Sequence, residues 1–181
     1  MIDRARFEAG DTFEQFMAKE FTNKLFWQQM YKRAVVGDDV LRRARELGAK
    51  WHLLALNEDW CGDSVNILPY VAKLADAVPG FDLRIIRRDE NLDIMDAHLT
   101  GKSRSIPIII LLDDNFCECG WWGPRPAELQ KWVVEEGLKL PKDERYKQAR
   151  GWYARDRGAS TINEIVSTFE HCAVRRSGES Q

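Results

Sequence analysis

The sequence predicts an α/β fold in which helices flank a central mixed four-stranded sheet. Two apolar runs, 51–56 and 106–112, are continuous, as is typical of strands covered on both faces. A helical pattern and a second strand at 82–87 follow the first run, which makes a β-α-β unit. The second run turns back into a strand at 116–122, and a helix from about 126 to 136 follows that hairpin.

A helical extension is predicted on the N-terminal side of this core, in residues 1–50. Thr12 and Gln15 fit a capping box, and Asp38 is expected to cap a second helix that Gly48 ends. A broad apolar stripe at helical spacing follows the capping box, which indicates packing on the sheet or, alternatively, a partner-binding face. The stripe consists of Phe13, Phe16, Met17, Phe21, Leu25, Trp27 and Tyr31.

A second helical extension is predicted beyond the core. Thr161 and Glu164 fit another capping box, and a short polar tail is expected at 175–181. We therefore expect one domain over 1–181. Its parts are the N-terminal extension (1–50), the core (51–140), and a C-terminal helical annex with its tail (141–181).

Composition excludes several functional classes. The net charge is −2 over 181 residues, so no global field favours nucleic acid or an anionic membrane. We predict neither a signal peptide nor a membrane span, because the first twenty residues lack an apolar stretch and no apolar run approaches 18 residues. Four cysteines do not suggest a disulfide framework, and a reducing cytoplasm is the expected location. No metal site is predicted either, since the histidines lack metal-ligand spacing.

The segment Trp60-Cys61-Gly62-Asp63-Ser64 lies where the first apolar run ends and the helical pattern 65–78 begins. A helix N-terminus stabilises negative charge, so we expect the thiol of Cys61 to be exposed and to ionise readily. Nearby carboxylates such as Glu58 oppose that effect. Cys61 is the candidate nucleophile, and the alternative is an inert thiol.

This segment resembles the active-site turn of the thioredoxin family, Trp-Cys-Gly-Pro-Cys. Trp60, Cys61 and Gly62 match it, and Pro69 stands at the family's offset within the following helix. The resemblance spans about residues 50–140 and implies a thioredoxin fold.

Two positions depart from the family's motif. Asp63 replaces the proline, as in a subgroup that carries Trp-Cys-Gly-Asp-Cys, and Ser64 replaces the second cysteine. The hydroxyl of Ser64 can donate a hydrogen bond to a thiolate at Cys61, but it cannot close or release a disulfide. Whether this serine is natural or introduced stays open.

The resemblance also implies a substrate groove beside Cys61. The family's cis proline corresponds to Pro107, and its backbone pairs with an extended substrate, as in β-augmentation. Arg125 is expected either to bind a carboxylate of a peptide or of glutathione, or to be a solvated loop residue. The implied substrate-binding residues are Trp60, Gly62, Asp63, Ile106, Pro107, Trp122, Gly123 and Arg125.

The other cysteines offer little to resolve a mixed disulfide at Cys61. Cys117 and Cys119 lie too far back along their strand and are interpreted as core or edge residues. Cys172 is the only remaining resolving thiol, and a mobile C-terminus would have to deliver it.

These patterns predict a monothiol thioredoxin-like protein, in which Cys61 forms mixed disulfides that an external thiol resolves. The expected partners are protein thiols or disulfides, or glutathione as co-substrate, with no bound cofactor. Two alternatives remain open: a redox-inactive binding module, and a dithiol reductase whose second cysteine was replaced at Ser64. The sequence does not decide whether the chain is an enzyme.

Overall fold

The computed structural model describes residues 2–48 and 50–178. Four strands form one sheet in the order β2-β1-β3-β4. β1 runs parallel to β2 and antiparallel to β3, which is antiparallel to β4, so the predicted mixed four-stranded sheet is confirmed. The strands are β1 (Trp51–Asn57), β2 (Phe81–Arg87), β3 (Ile108–Leu112) and β4 (Glu118–Trp122).

Helices cover both faces of the sheet. The 3₁₀ turn Gly137–Lys139 lies between two of them. In the described residues the α-helices are α1 (Arg4–Glu8), α2 (Phe13–Ala18), α3 (Lys24–Arg33), α4 (Asp38–Glu46), α5 (Ser64–Ala77), α6 (Leu92–Asp96), α7 (Ala127–Glu135), α8 (Lys142–Asp156) and α9 (Ala159–Gly178).

The two central strands supply side chains to two separate apolar cores, because successive side chains of a strand point to opposite faces. Leu53 and Ile109 belong to the larger core, which also contains α5 and α9. Leu54 and Ile110 belong to the smaller core, which contains α1 and α6. All five residues of β3 are buried, which explains why both runs are apolar without alternation.

The N-terminal extension is divided more finely than the sequence predicted. The capping box of Thr12 and Gln15 is present and starts α2, as predicted. The apolar stripe does not form one continuous helix, because Asn23, with φ of 67°, separates α2 from α3. Phe16 and Trp27 join the larger core, whereas Leu25 is 74% exposed.

The other helix ends agree only in part with the capping residues predicted from the sequence. α4 begins at Asp38 itself, so Gly37 and not Asp38 is the N-cap, and Gly48 follows the helix with φ of 62°. The capping box predicted at Thr161 is wrong, because α9 begins at Ala159 and Thr161 is buried inside it. α9 also continues through Gly178, so the tail predicted at 175–181 is largely helical; residues 179–181 lie outside the described residues.

Several elements are shorter than predicted. β3 begins at Ile108, after Pro107, which has no N–H to contribute to the sheet. β4 begins at Glu118, because Phe116 takes a φ of 63° in the turn before it. Between β2 and β3, the helix α6 covers only Leu92–Asp96. None of the helices in the described ranges is long and apolar enough to cross a lipid bilayer.

Candidate functional site

The turn at 58–63 joins the end of β1 to the start of α5 and is held by two kinds of contact. Within the turn, the N–H of Cys61 donates to the carbonyl of Glu58 at 3.1 Å. From outside it, the indole N–H of Trp27 donates to the carbonyl of Asp59 at 3.3 Å. The N-terminal extension therefore helps to fix the motif.

A cleft of about 640 Å³ opens at this turn. Side chains of α3, of the segment 103–106 and of α8 form its walls, so both helical extensions contribute to it. Of the residues predicted from the sequence, six line the cleft: Trp60, Cys61, Gly62, Asp63, Ile106 and Arg125.

Cys61 is buried, contrary to the expectation of an exposed thiol. Only 8% of the residue is accessible to solvent. Its thiol donates a hydrogen bond to the carbonyl of Ile106 across a distance of 3.4 Å. Because a carbonyl can accept from a thiol but repels a thiolate, this contact favours the protonated form.

The pKa of Cys61 is raised, so the expected easy ionisation is not supported. Burial is the main cause, and the carboxylate of Asp63 adds charge repulsion. The Ser64 side chain and the backbone N–H groups of Asp63 and Ser64 lower the pKa, as expected at a helix N-terminus, but they do not outweigh burial. Desolvation therefore dominates over the helix dipole at this sulfur.

Ser64 is fully buried, and its hydroxyl makes no hydrogen bond that meets normal geometry. It nevertheless lies close enough to the sulfur of Cys61 to lower the pKa of that thiol. Both observations are consistent with a Ser64 hydroxyl that lies near the Cys61 sulfur without forming a well-aligned hydrogen bond to it. Ionisation of Cys61 would then give Ser64 an acceptor.

Asp63 is held by two residues from later parts of the chain. Arg125, in the loop after β4, lies 2.6 Å from its carboxylate, and the hydroxyl of Tyr153 donates to it at 2.9 Å. Arg125 also donates to Gln130 at 2.9 Å. Its side chain is only 18% exposed, so Arg125 is not a solvated loop residue. Its guanidinium is already paired with Asp63, and a role in binding a substrate carboxylate stays a prediction.

Tyr153 is the residue of this site that sequence reasoning missed. It lies on α8, lines the cleft and contacts Asp63 across 90 residues of sequence. Burial raises its pKa well above the usual range, so the phenol stays protonated as a donor. No local motif signals this role.

Ile106 and Pro107 are joined by a cis peptide bond, and Ile106 faces the sulfur of Cys61. Pro107 is buried, and the backbone of Gly123 packs directly against its carbonyl. Neither Pro107 nor Gly123 lines the cleft. These two residues therefore support the segment that faces Cys61.

The two tryptophans predicted at the groove have different roles. Trp60 is 58% exposed at the cleft, and the guanidinium of Arg88 lies 5.2 Å from the centre of its ring. Trp122 was expected to border the groove, and the structure does not place it there. It is buried, and its indole N–H donates to Glu164 on α9 at 2.7 Å.

The other sulfurs lie elsewhere, and one expectation about them is wrong. Cys119 and Cys172 form a disulfide that ties β4 to α9, with their Cα atoms 5.6 Å apart. Cys172 is therefore not a resolving thiol for Cys61. Cys117 is free and exposed beyond the far end of β3, and the six residue steps from Ile106 to that end span about 20 Å of extended chain.

No metal centre is evident at the site or elsewhere in residues 2–48 and 50–178, where no three His, Cys, Asp or Glu residues are grouped as ligands. His98 is buried and lies 3.0 Å from Glu118.

A sequence profile of the thioredoxin family matches residues 10–147. The chain belongs to the thioredoxin family. The match covers the whole sheet, the Cys61 turn and the start of α8, and it confirms the family resemblance. That Asp63 marks a particular subgroup stays a prediction.

Solved structures give the same thioredoxin-like fold. A protein of unknown function from Pseudomonas aeruginosa is 19% identical with a TM-score of 0.75, and the alignment covers 94% of this chain and 99% of that one. An HIV epitope scaffold is also 19% identical, with a TM-score of 0.72 and the same two coverages. No curated protein sequence matches the chain. At 19% identity these comparisons show similarity of fold only. Because the alignments cover 94% of this chain, the similarity includes the helical extensions.

Proposed function

We propose that this thioredoxin-family protein takes part in thiol–disulfide exchange through Cys61 alone. The observation that carries the proposal is the isolation of this sulfur. Cys61 lines an open cleft, Cys119 and Cys172 are bonded to each other, and Cys117 lies at the other end of the sheet. Any disulfide that Cys61 forms in the native fold must therefore join it to another molecule.

The chemistry follows from that isolation. The Cys61 thiolate attacks one sulfur of a partner disulfide, so a new S–S bond forms while the partner's S–S bond breaks. The departing partner thiolate takes up a proton. A second, external thiol then attacks the mixed disulfide, releases Cys61 and becomes oxidised in its place. Ser64 can stabilise the thiolate by a hydrogen bond but cannot replace the external thiol.

The raised pKa sets the rate of this exchange. Only the thiolate attacks, so at neutral pH a small fraction of Cys61 is reactive. The rate is expected to rise with pH until the pH passes the raised pKa of Cys61. Because the nucleophilicity of a thiolate rises with the pKa of its thiol, the Cys61 thiolate is more nucleophilic than a thiolate of lower pKa.

The test is formation of a mixed disulfide in a Cys117→Ser background, which removes the exposed free thiol. The protein, with Cys61 as a free thiol and the Cys119–Cys172 disulfide intact, is incubated with oxidised glutathione between pH 6 and 10, and intact mass is recorded over time. We expect one adduct, formed faster at higher pH, removed by dithiothreitol and absent from the additional Cys61→Ser variant. Absence of an adduct throughout this pH range would exclude exchange at Cys61.

A second function is favoured by the same burial. A thiol that is 8% exposed and hydrogen-bonded as a donor suits a binding module in which the cleft recognises a partner without covalent chemistry. Under this alternative a Cys61→Ser variant keeps its partner affinity. The two functions are separated by measuring partner binding and adduct formation on the same pair of proteins.

A further inference from the structure

A second hollow adjoins the cleft at Cys61. It also has a volume of about 640 Å³, and both hollows share Phe26, Asn66, Arg150 and Tyr153 as lining residues. The combined hollow runs between α3 and α8, from the Cys61 turn past Tyr153 to Arg157. We call it the basic groove.

The basic groove carries cations that no carboxylate neutralises. In the described part of the chain, none of the following four lining residues forms an ion pair: Arg33, Lys142, Arg150 and Arg157. All four are exposed. The groove is thus strongly positive although the net charge of the chain is −2.

The acidic residues of the groove are, by contrast, already occupied. Asp63 pairs with Arg125 at 2.6 Å, and Asp59 lies 3.8 Å from Arg87. An anionic ligand would therefore meet free cations without having to displace an acidic side chain of the protein. Charge complementarity favours a ligand with several carboxylates.

The length of the groove distinguishes between two ligands that carry carboxylates, a tripeptide such as glutathione and a longer extended peptide segment. Lys142 lines one end and Arg157 the other, and they are 15 residues apart along α8, or about 22 Å at the helical rise. A fully extended tripeptide such as glutathione spans only about 10 Å. An extended segment of about seven residues is needed to reach both ends.

We propose that the basic groove binds an extended acidic peptide segment of a partner protein, which presents a sulfur to Cys61. The delivery of a partner sulfur to Cys61 rests on the thiol–disulfide exchange proposed above. The binding of an acidic peptide in the groove does not depend on that exchange. Phe26 and Tyr146, which are 38% and 44% exposed, supply apolar surface for the stems of the peptide's side chains.

The first experiment measures binding without covalent chemistry. A fluorescent eight-residue peptide rich in Asp and Glu, with Ser in place of Cys, is titrated with the protein and followed by anisotropy. A matched peptide carries Asn and Gln instead. We expect the acidic peptide to bind at least about tenfold more tightly at low salt, and the difference to shrink as salt rises. Equal affinity of the two peptides would overturn the inference.

The second experiment locates the binding site. Arg150→Glu reverses a charge where the two hollows meet, and we expect it to weaken acidic-peptide binding by about tenfold. Lys147→Glu makes the same change of net charge on the same helix, but Lys147 lines neither hollow. It should change the affinity less than about twofold. Equal losses would mean that net charge alone drives binding, and the groove would be rejected.

Two controls keep the result interpretable. Circular dichroism verifies the fold of Arg150→Glu, and Arg150→Gln, which only removes the charge, should give an intermediate loss. If the acidic peptide binds preferentially while glutathione adducts never form, the exchange function fails and the groove stands. If adducts form without acidic preference, the groove fails and exchange stands.

Discussion

Arg125 and Asp63 form an ion pair of 2.6 Å directly beside the sulfur of Cys61. The carboxylate occupies the position where the thioredoxin motif has proline, and the guanidinium comes from the loop after β4. Asp63 raises the pKa of Cys61, and Arg125 offsets part of that charge. The reactivity of the thiol therefore depends on a contact between residues far apart in sequence.

Removing the charge of Asp63 should make Cys61 more reactive. Asp63→Asn keeps the size of the side chain and an acceptor for Tyr153, but it ends the repulsion of the thiolate and leaves Arg125 beside it. We expect the pKa of Cys61 to fall, so alkylation at neutral pH becomes up to about tenfold faster. Alkylation rates measured against pH in a Cys117→Ser background provide the test.

The matched control for this variant is Asp59→Asn, which removes a neighbouring carboxylate that lies 3.8 Å from Arg87. It should shift the alkylation profile less than Asp63→Asn does. An unchanged or slower alkylation rate in Asp63→Asn would show that burial alone sets the reactivity of the thiol.

Gly123 should tolerate no side chain, although it does not line the cleft. Its φ of 131° disfavours other residues, and a Cβ atom there would overlap the carbonyl of Pro107. We expect Gly123→Ala to lower the free energy of unfolding by about 2 kcal/mol or more. The segment facing Cys61 would shift with Pro107. Denaturant unfolding gives the energy, and the alkylation rate of Cys61 reports the shift.

Gly62 provides the comparison, since it adjoins Cys61 in a turn with ordinary φ, and a Cβ atom added there would have no other atom within 4 Å. Gly62→Ala should change stability by less than about 0.5 kcal/mol. Similar losses in both variants would contradict the role assigned to Gly123.

The disulfide between Cys119 and Cys172 should contribute to stability. It closes a loop with a sequence separation of 53 and ties the far end of α9 to β4. We expect a reductant to lower the free energy of unfolding by about 2–4 kcal/mol, chiefly because the unfolded chain gains freedom. Urea unfolding with and without dithiothreitol measures this change. A double variant, Cys119→Ala with Cys172→Ala, should not respond to the reductant, and a parent protein that is equally insensitive would show that the bond does not stabilise the fold.

Local patterns predicted the sheet well and the helix ends less well. The runs before and after the motif are continuous and apolar because β1 and β3 are covered on both faces, which needs no knowledge of distant residues. The capping box at Thr12 was correct, whereas the equally good pattern at Thr161 lies inside α9. There the packing of α9 overrides the local signal, and Glu164 instead accepts from Trp122.

The sequence by itself determined the order of strands and helices in the core, the strand–turn–helix that carries Cys61, and the absence of a second cysteine at position 64. These features follow from residues within a few positions of one another. Only the tertiary structure decided that Cys61 is buried, that Tyr153 contacts Asp63 across 90 residues, and that Cys172 pairs with Cys119. The reason is physical: desolvation and long-range contacts depend on how α8 and α9 pack over the sheet, and no spacing along the chain records that packing.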